Sequence, residues 1–457
     1  MQIGKTPKAA RAAANAQSVQ GTPTEKKTGF RKYLGLTFLI GFGFFTMGLM
    51  DPLYDTYVPI FLGKYIAQNK TIGAIMTLDN IFALFLIPIV SAWSDNMRTR
   101  IGRRMPFIIV TLPLTALCFA YLPYAAAISL AAIIVTVFLL NVFKQSARGP
   151  VVALMPDTIP GEYRSEANGV INTMGGIASI IGTIGLARLM DVDIVLPLLG
   201  PTKDRLSFPV AGLLVILSTI MVFAFVREKN RDNVTREERV PIMKSINAIA
   251  GQQDKSALYI LISLFLWFFG YQGVLPFIGK YSVEVLKTST GTASLAAGMV
   301  GVAYAIFAIP SGYVAHRIGR KRTIRTSLAV VATLLVIVTF HGPLTEKLGL
   351  SPKMALYSFW ALMFLFGMFW VSIVTNSFPM LWQMATYGNM GIYTGLYYTF
   401  SQAAAILSPP LSGTIIDLVG YRGMFVFCAI CMLAALLVMG KVTRGEPRED
   451  ANGQINN

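Results

Sequence analysis

Twelve long apolar runs constrain this chain more than anything else in it. They occupy residues 34–62, 71–93, 105–124, 127–149, 167–190, 208–226, 257–281, 291–315, 326–341, 355–378, 391–416 and 421–440. A helix needs about 20 such residues to cross the hydrocarbon core of a bilayer. In lipid each helix satisfies its own backbone hydrogen bonds, so an all-α integral membrane bundle is expected. The rest of the composition agrees: 54% of the 457 residues are hydrophobic and only 13% are charged. A soluble protein of this length carries roughly twice that charged fraction.

The net charge of +17 raises the question of a nucleic-acid partner, and its distribution argues against one. Basic residues gather in alternate loops: the N-terminal tail, 98–104, 227–255, 317–325 and the C-terminal tail. Loops that stay inside keep their positive charge, which puts both termini in the cytoplasm and the chain in the cell membrane. The 379–390 loop belongs to the same side yet has no Lys or Arg. Residues 1–33 have no apolar stretch of the kind a secretory signal carries and read as a disordered basic cytoplasmic tail; 441–457 read as a second cytoplasmic tail. Cys118, Cys428 and Cys431 all lie in apolar runs. No disulfide framework or zinc spacing is visible, and packing is their expected role. No cofactor or metal is expected. The sequon Asn69-Lys70-Thr71 falls in a loop on the outer side.

The chain breaks in the middle at a polar, charged linker, 227–256, leaving a 34–226 half and a 257–440 half of six runs each. Two marks recur between them. Gly63-Lys64-Tyr65 and Gly279-Lys280-Tyr281 stand 216 positions apart, and Gly102-Arg103-Arg104 and Gly319-Arg320-Lys321 stand 217 apart. Each pair falls at the same helix boundary. Duplicated halves related by an axis along the membrane normal are therefore expected. The turn holding Asp95, Arg100, Gly102, Arg103 and Arg104, with its partner holding Arg317, Gly319 and Arg320, reads as a cytoplasmic gate. Its glycines let helix ends approach closely, and its arginines suit acids and helix C-termini.

The second turn, Gly312-x3-His316-Arg317-x-Gly319-Arg320-Lys321, is similar to the signature of the major facilitator superfamily, with His316 where that signature has Asp. The first resembles the glycoside–pentoside–hexuronide cation symporters, and most of all their plant sucrose transporter branch. The residues that carry the likeness are Pro88-Ile89-Val90-x3-Ser94-Asp95-x4-Arg100-x-Gly102-Arg103-Arg104-x-Pro106-Phe107-Ile108 and Gly149-Pro150-x2-Ala153-Leu154. It is strongest over 34–180. It implies a glycoside, often a disaccharide, moved together with a cation. Two departures stand out. The sucrose branch has an arginine where this chain has Val152, with Arg148 one turn earlier. The melibiose-type branch has two cation-binding aspartates where this chain has Ala83 and Ile87. A proton is therefore expected as the coupling ion rather than sodium.

Ionisable groups inside spanning helices are costly and mark function by default. The first run holds Asp51 and Asp55 on one face around Pro52; the second holds Asp79 and Asn80; the fourth holds Asn141, Lys144 and Arg148 on one face. Acids on the first two should meet the basic stripe on the fourth, because an unpaired buried charge costs far more than a paired one. Proton coupling is expected from Asp55, Asp79, Arg148 and Asp51: Asp55 or Asp79 carries the proton, released and recaptured through contact with Arg148, and Asp51 sits nearer the outer surface. A structural salt bridge that only fixes packing is the alternative. The offset of 216 carries Asp55 to Tyr271 and Thr56 to Gln272. Sugar binding is expected from Asn80, Asn141, Lys144, Arg148 and Asn172 on one side. Tyr271, Gln272, Trp370, Asn376, Tyr397 and Gln402 supply the other, as aromatic faces and amides suit sugars within a mostly apolar pocket.

The expected protein is a secondary active transporter, working as a monomer in the bilayer on a small sugar. A facilitator or exporter of another solute has the same fold. A membrane enzyme or sensor remains as a second alternative. The two histidines, His316 and His341, have no visible nucleophile or ligand partners, and no phosphate loop is present.

Overall fold

The protein is described by a computed structural model over residues 23–160, 163–197, 200–228, 251, 253–384, 390–445, 448–449 and 455–456. Twelve helices among these are long and apolar enough to span a membrane. In chain order they are α1 (Phe30–Gly63), α2 (Asn69–Asn96), α3 (Met105–Ile128), α4 (Leu130–Thr158), α5 (Glu166–Asp191) and α6 (Ser207–Phe225), then α7 (Ser256–Glu284), α8 (Thr290–Ile318), α9 (Arg320–Thr339), α10 (Pro352–Trp382), α11 (Ile392–Val419) and α12 (Tyr421–Gly440). Several outrun the apolar stretches that announced them. α4 continues past residue 149 through Asp157, and α1 prolongs a helix that begins at Pro23, inside the segment read as a tail. Proline suits a first helical position because its missing N–H would be unpaired there anyway. Residues 1–22, most of the linker (229–250 and 252), and 446–447, 450–454 and 457 lie outside the described residues.

Each half repeats the packing of the other. α1 lies on α5 as α7 lies on α11; α3 on α4 as α9 on α10; α3 on α6 as α9 on α12; α2 on α4 as α8 on α10. Large side chains fill the centre of each half. Tyr57, Phe61, Phe119 and Phe208 cluster in the first, and Tyr281 meets Phe359 and Phe425 in the second. The outer faces are apolar as well, with Ile309, Leu418 and Leu437 exposed. Such a surface is stable only under lipid.

The halves meet along α1–α7, α2–α11 and α5–α8. The GKY marks explain the closeness of the first contact. A Cβ at Gly279 would stand 2.8 Å from the Thr56 carbonyl oxygen, and one at Gly63 would stand 2.8 Å from Lys280 Cε. Only glycine allows helices this near. These contacts lie at the end away from the basic turns. The same end holds the hydrogen bonds that join the halves: Lys280 Nζ to Asn69 Oδ1 (2.7 Å), Tyr57 Oη to the Thr290 carbonyl (3.1 Å), Ser294 Oγ to the Thr183 carbonyl (2.8 Å), and those of Asp191 and Asp417 described below. Asn69, the head of the sequon, is buried here with its amide engaged, so a glycan does not fit in this conformation.

Candidate functional site

A cavity of about 580 Å³ lies between the halves, on the basic-turn side of that seal. Its size falls within the ~300–1,000 Å³ typical of small-molecule sites. From the first half come Asp51 and Asp55 of α1, Asp79, Asn80, Ala83 and Ile87 of α2, and Arg148 of α4. From the second come Gln272 and Pro276 of α7 and Tyr398, Thr399, Gln402 and Pro409 of α11. Ala83 and Ile87, which stand where the melibiose-type branch has aspartates, thus face the cavity without a charge. Val152, in place of the sucrose-branch arginine, is exposed and does not line it.

The charges are arranged differently from the sequence expectation. Lys144, not Arg148, holds the acids. Its Nζ lies 2.9 Å from Asp51 and 3.1 Å from Asp79, and 4.9 Å from the centre of the Tyr54 ring. Lys144 is 4% exposed, so the two carboxylates and the ring replace the water its ammonium has lost. Asp51 accordingly belongs to this cluster rather than to the outer surface. Gln145, fully buried, donates to Asp79, and Asn141 Nδ2 donates to Tyr54 Oη at 2.9 Å. Asp55 and Arg148 line the cavity but make no hydrogen bond or ion pair among the described residues. Tyr54 and Gln145 are members of the cluster that sequence reasoning missed. Each neighbours a charged residue already noticed, and an uncharged side chain between charges gave no reason to choose it.

Helical geometry sorts the rest. Neighbours on a helix point about 100° apart, so a tandem pair presents one member to a given face. Gln272 faces the cavity; Tyr271 turns away to stack on Trp370, rings 4.4 Å apart, with Phe366 alongside. Tyr398 faces the cavity; Tyr397 turns inward and shares a 3.3 Å hydrogen bond with Ser377. Asn376 donates back to the Ser372 carbonyl, and Asn172 is exposed and donates to the Asn168 carbonyl. So Asn80, Arg148, Gln272 and Gln402 reach the cavity among the expected sugar contacts. Asn141, Lys144, Asn172, Tyr271, Trp370, Asn376 and Tyr397 do not line it.

The first basic turn is a dense ionic knot within one half. Arg103 is bidentate on Asp157, with Nη2–Oδ1 at 2.6 Å and Nε–Oδ2 at 3.2 Å. Arg104 reaches the same carboxylate at 2.9 Å, pairs with Asp95, and donates to Ser94 Oγ at 3.1 Å. Glu228, just after α6, caps α3 by accepting the Arg104 backbone N–H at 2.8 Å. Burial pushes the Glu228 carboxyl above its ordinary pKa, while N–H groups of Arg104 and Met105 pull the other way. Burial works against the charge on Arg103, and the Asp157 hydrogen bond and charge outweigh it and raise its pKa. Gly102 (φ +113°) and Gly319 (φ +93°) take a positive φ at matching positions of the two copies. In the second copy Lys321 Nζ caps α12 through the carbonyls of Gly440 (3.1 Å) and Val442. Arg100 and Arg317 are exposed. Asp157 and Glu228 were missed because each is one unremarkable acid beside a helix end.

Two pseudo-symmetric six-helix halves around a central polar cavity define a membrane transporter. The chain belongs to the Major Facilitator Superfamily, whose family model matches residues 34–386 and, again, 260–455. It is 23% identical over 345 residues to a hexuronate transporter of Bacillus subtilis (strain 168), covering 69% of this chain and 75% of that one. Among solved structures it resembles a bacterial homologue of the human lysosomal transporter Spinster in an inward-facing, occupied conformation (TM-score 0.68, 10% identity, 90% of this chain and 96% of that one). It also resembles the nucleoside transporter NupG (TM-score 0.68, 12% identity, 90% and 99%). A third likeness is to a bacterial homologue of the iron transporter ferroportin in an inward-facing state (TM-score 0.67, 13% identity, 90% and 98%).

Proposed function

We propose that this transporter carries an uncharged glycoside into the cell together with a proton, as a plasma-membrane monomer related to the glycoside–pentoside–hexuronide symporters. The observation that carries the reading is Asp55. Three acids line the cavity; Lys144 is bonded to two of them and leaves the third without a cation. A carboxyl in that position takes its neutralising charge from outside, as a proton. Lys144 then answers each change at Asp55 by redistributing between Asp51 and Asp79. Opposite, Gln272, Tyr398, Thr399 and Gln402 offer amides and hydroxyls that match sugar hydroxyls. Among the described residues Arg148 is the one cationic group on the cavity wall, and it suits a pair of hydroxyls or an exchange of partners with Asp55.

The likeness to a hexuronate transporter supports a sugar-like solute. With Asp51 and Asp79 held by Lys144 and Asp55 carrying the proton, the neutral amides and hydroxyls of Gln272, Tyr398, Thr399 and Gln402 match the hydroxyls of a neutral sugar better than a carboxylate. With the basic turns cytoplasmic, the sealed end faces outward and the cavity faces the cytoplasm, and the halves rock about the site to alternate access. The test is a panel of neutral and uronic glycosides offered to the purified protein in liposomes under an imposed pH gradient, with and without sodium. A neutral glycoside should accumulate in sodium-free buffer. Equilibration without accumulation would make the protein a facilitator, and accumulation of a uronate alone would remove the neutral-sugar reading.

A further inference from the structure

When two halves rock, every bond between them at the sealed end must break for that end to open. The bonds there are unequal. Those of Tyr57 with Thr290 and Ser294 with Thr183 are single bonds between neutral groups. Two others centre on carboxylates at the ends of corresponding helices. Asp417, in the last turn of α11, accepts from the backbone N–H of Asn69 (2.8 Å) and of Lys70 (2.9 Å) and from Asn69 Nδ2 (3.0 Å). Asp191, the last residue of α5, accepts from the Gly291 backbone N–H (2.9 Å) and from Ser289 Oγ (2.7 Å). In both cases an acid of one half sits on the first turn of a helix of the other, α2 or α8. There the backbone N–H groups have no intrahelical partner and the helix dipole favours negative charge.

We propose that Asp191 and Asp417 form a paired latch that holds this end closed, and that both carboxylates leave the opposing helix N-termini when it opens. The interfaces α5–α8 and α11–α2 are the two flanks of the contact between the halves, so one device secures each flank. Charge-assisted bonds of this kind are roughly twice as strong as neutral ones, which sets the acids above the neutral contacts of the seal. The flanks differ in strength. The Asp417 side has three donors and is backed by Lys280, which reaches from α7 to Asn69 Oδ1 and is itself 5% exposed. The Asp191 side has two donors and follows a stretch where α5 loosens into a π turn, Ile181–Gly185, and a 3₁₀ turn, Leu186–Asp191. Asp191 is therefore the latch that yields first.

The test reads the gap directly. Spin labels at Ala67→Cys and Val285→Cys, exposed positions on the two sides of the seal, report its width by pulsed dipolar spectroscopy. The full chain is used, with Cys118, Cys428 and Cys431 replaced by alanine. Relative to that parent, Asp191→Ala combined with Asp417→Ala should raise the wide-gap population at least about fivefold, the scale of an ordinary conformational coupling. Asp417→Ala should give the larger of the single effects. If the alanine variants fold poorly, Asp191→Asn with Asp417→Asn keeps an acceptor oxygen, removes the charge, and should shift the same way by less. A double variant with the parent's distance distribution overturns the proposal. No substrate enters the measurement, so its outcome is independent of the glycoside and proton assignments.

Discussion

The two copies of the basic turn, 94–104 and 311–321, share a glycine of positive φ and differ in length and in what holds them: residues 97–104 separate α2 from α3, and Gly319 alone separates α8 from α9. The first gathers its arginines onto Asp157, Asp95 and Glu228. The second has Gly312 at the position of Asp95 and spends Lys321 on the carbonyl end of α12, where a cation meets the negative pole of the helix. The cavity repeats this division. α1 presents Asp51 and Asp55 to it, whereas α7 presents Gln272 and keeps Tyr271 stacked in the interior. The halves share their helix contacts and differ in charge, which is concentrated in the first. The proposed labour follows: ions on the first half, neutral solute groups on the second.

The sharpest break of that comparison is Lys144→Met. It leaves Asp51 and Asp79, half-buried on the cavity wall, without their shared cation, a loss of about 1–3 kcal/mol. Thermal melting in detergent should fall steeply, and gradient-driven uptake should vanish. Next comes Asp55→Asn beside Gln272→Ala. The first should abolish pH-driven accumulation while leaving some exchange. The second should keep accumulation and weaken apparent glycoside affinity by about tenfold, the scale of one lost hydrogen bond. Asp157→Asn against Arg317→Gln probes the turns. Asp157 serves two arginines, so its variant should lose about 1–3 kcal/mol of stability, whereas Arg317→Gln should stay within about 0.5 kcal/mol. The smallest contrast is Gly102→Ala against Gly319→Ala. Each costs about 1 kcal/mol for the left-handed conformation, and Gly102→Ala should cost more because its Cβ would run into Glu228. Equal melting shifts would show that Glu228 moves aside freely.

Much of the architecture was legible in the sequence because it follows from period and length. The apolar runs announced twelve spans, and the repeat marks at 63/279 and 102/319 announced the pseudo-symmetry; the GKY glycines turned out to be where the halves touch. The site was legible as an inventory but not as a pairing. Asp51, Asp55, Asp79 and Arg148 were visible as intramembrane charges. That Lys144 rather than Arg148 would reach two acids depends on helix rotation and on side-chain length, which spacing leaves open by a full turn. The aromatic residues failed for a related reason: Tyr271 and Trp370 satisfy the same composition whether they face a sugar or each other. Asp191 and Asp417 gave no signal, because they are 226 positions apart and the repeat offset does not connect them.

The central claim is that Asp55 couples a proton to the movement of a neutral glycoside. Its most direct measurement is the proton flux that a glycoside gradient drives in sodium-free liposomes, followed by a trapped pH dye. Downhill glycoside entry should acidify the lumen in the wild type. In Asp55→Asn, glycoside exchange should persist while the acidification disappears. Glycoside entry with no pH change in the wild type, or an undiminished pH change in Asp55→Asn, would contradict the account.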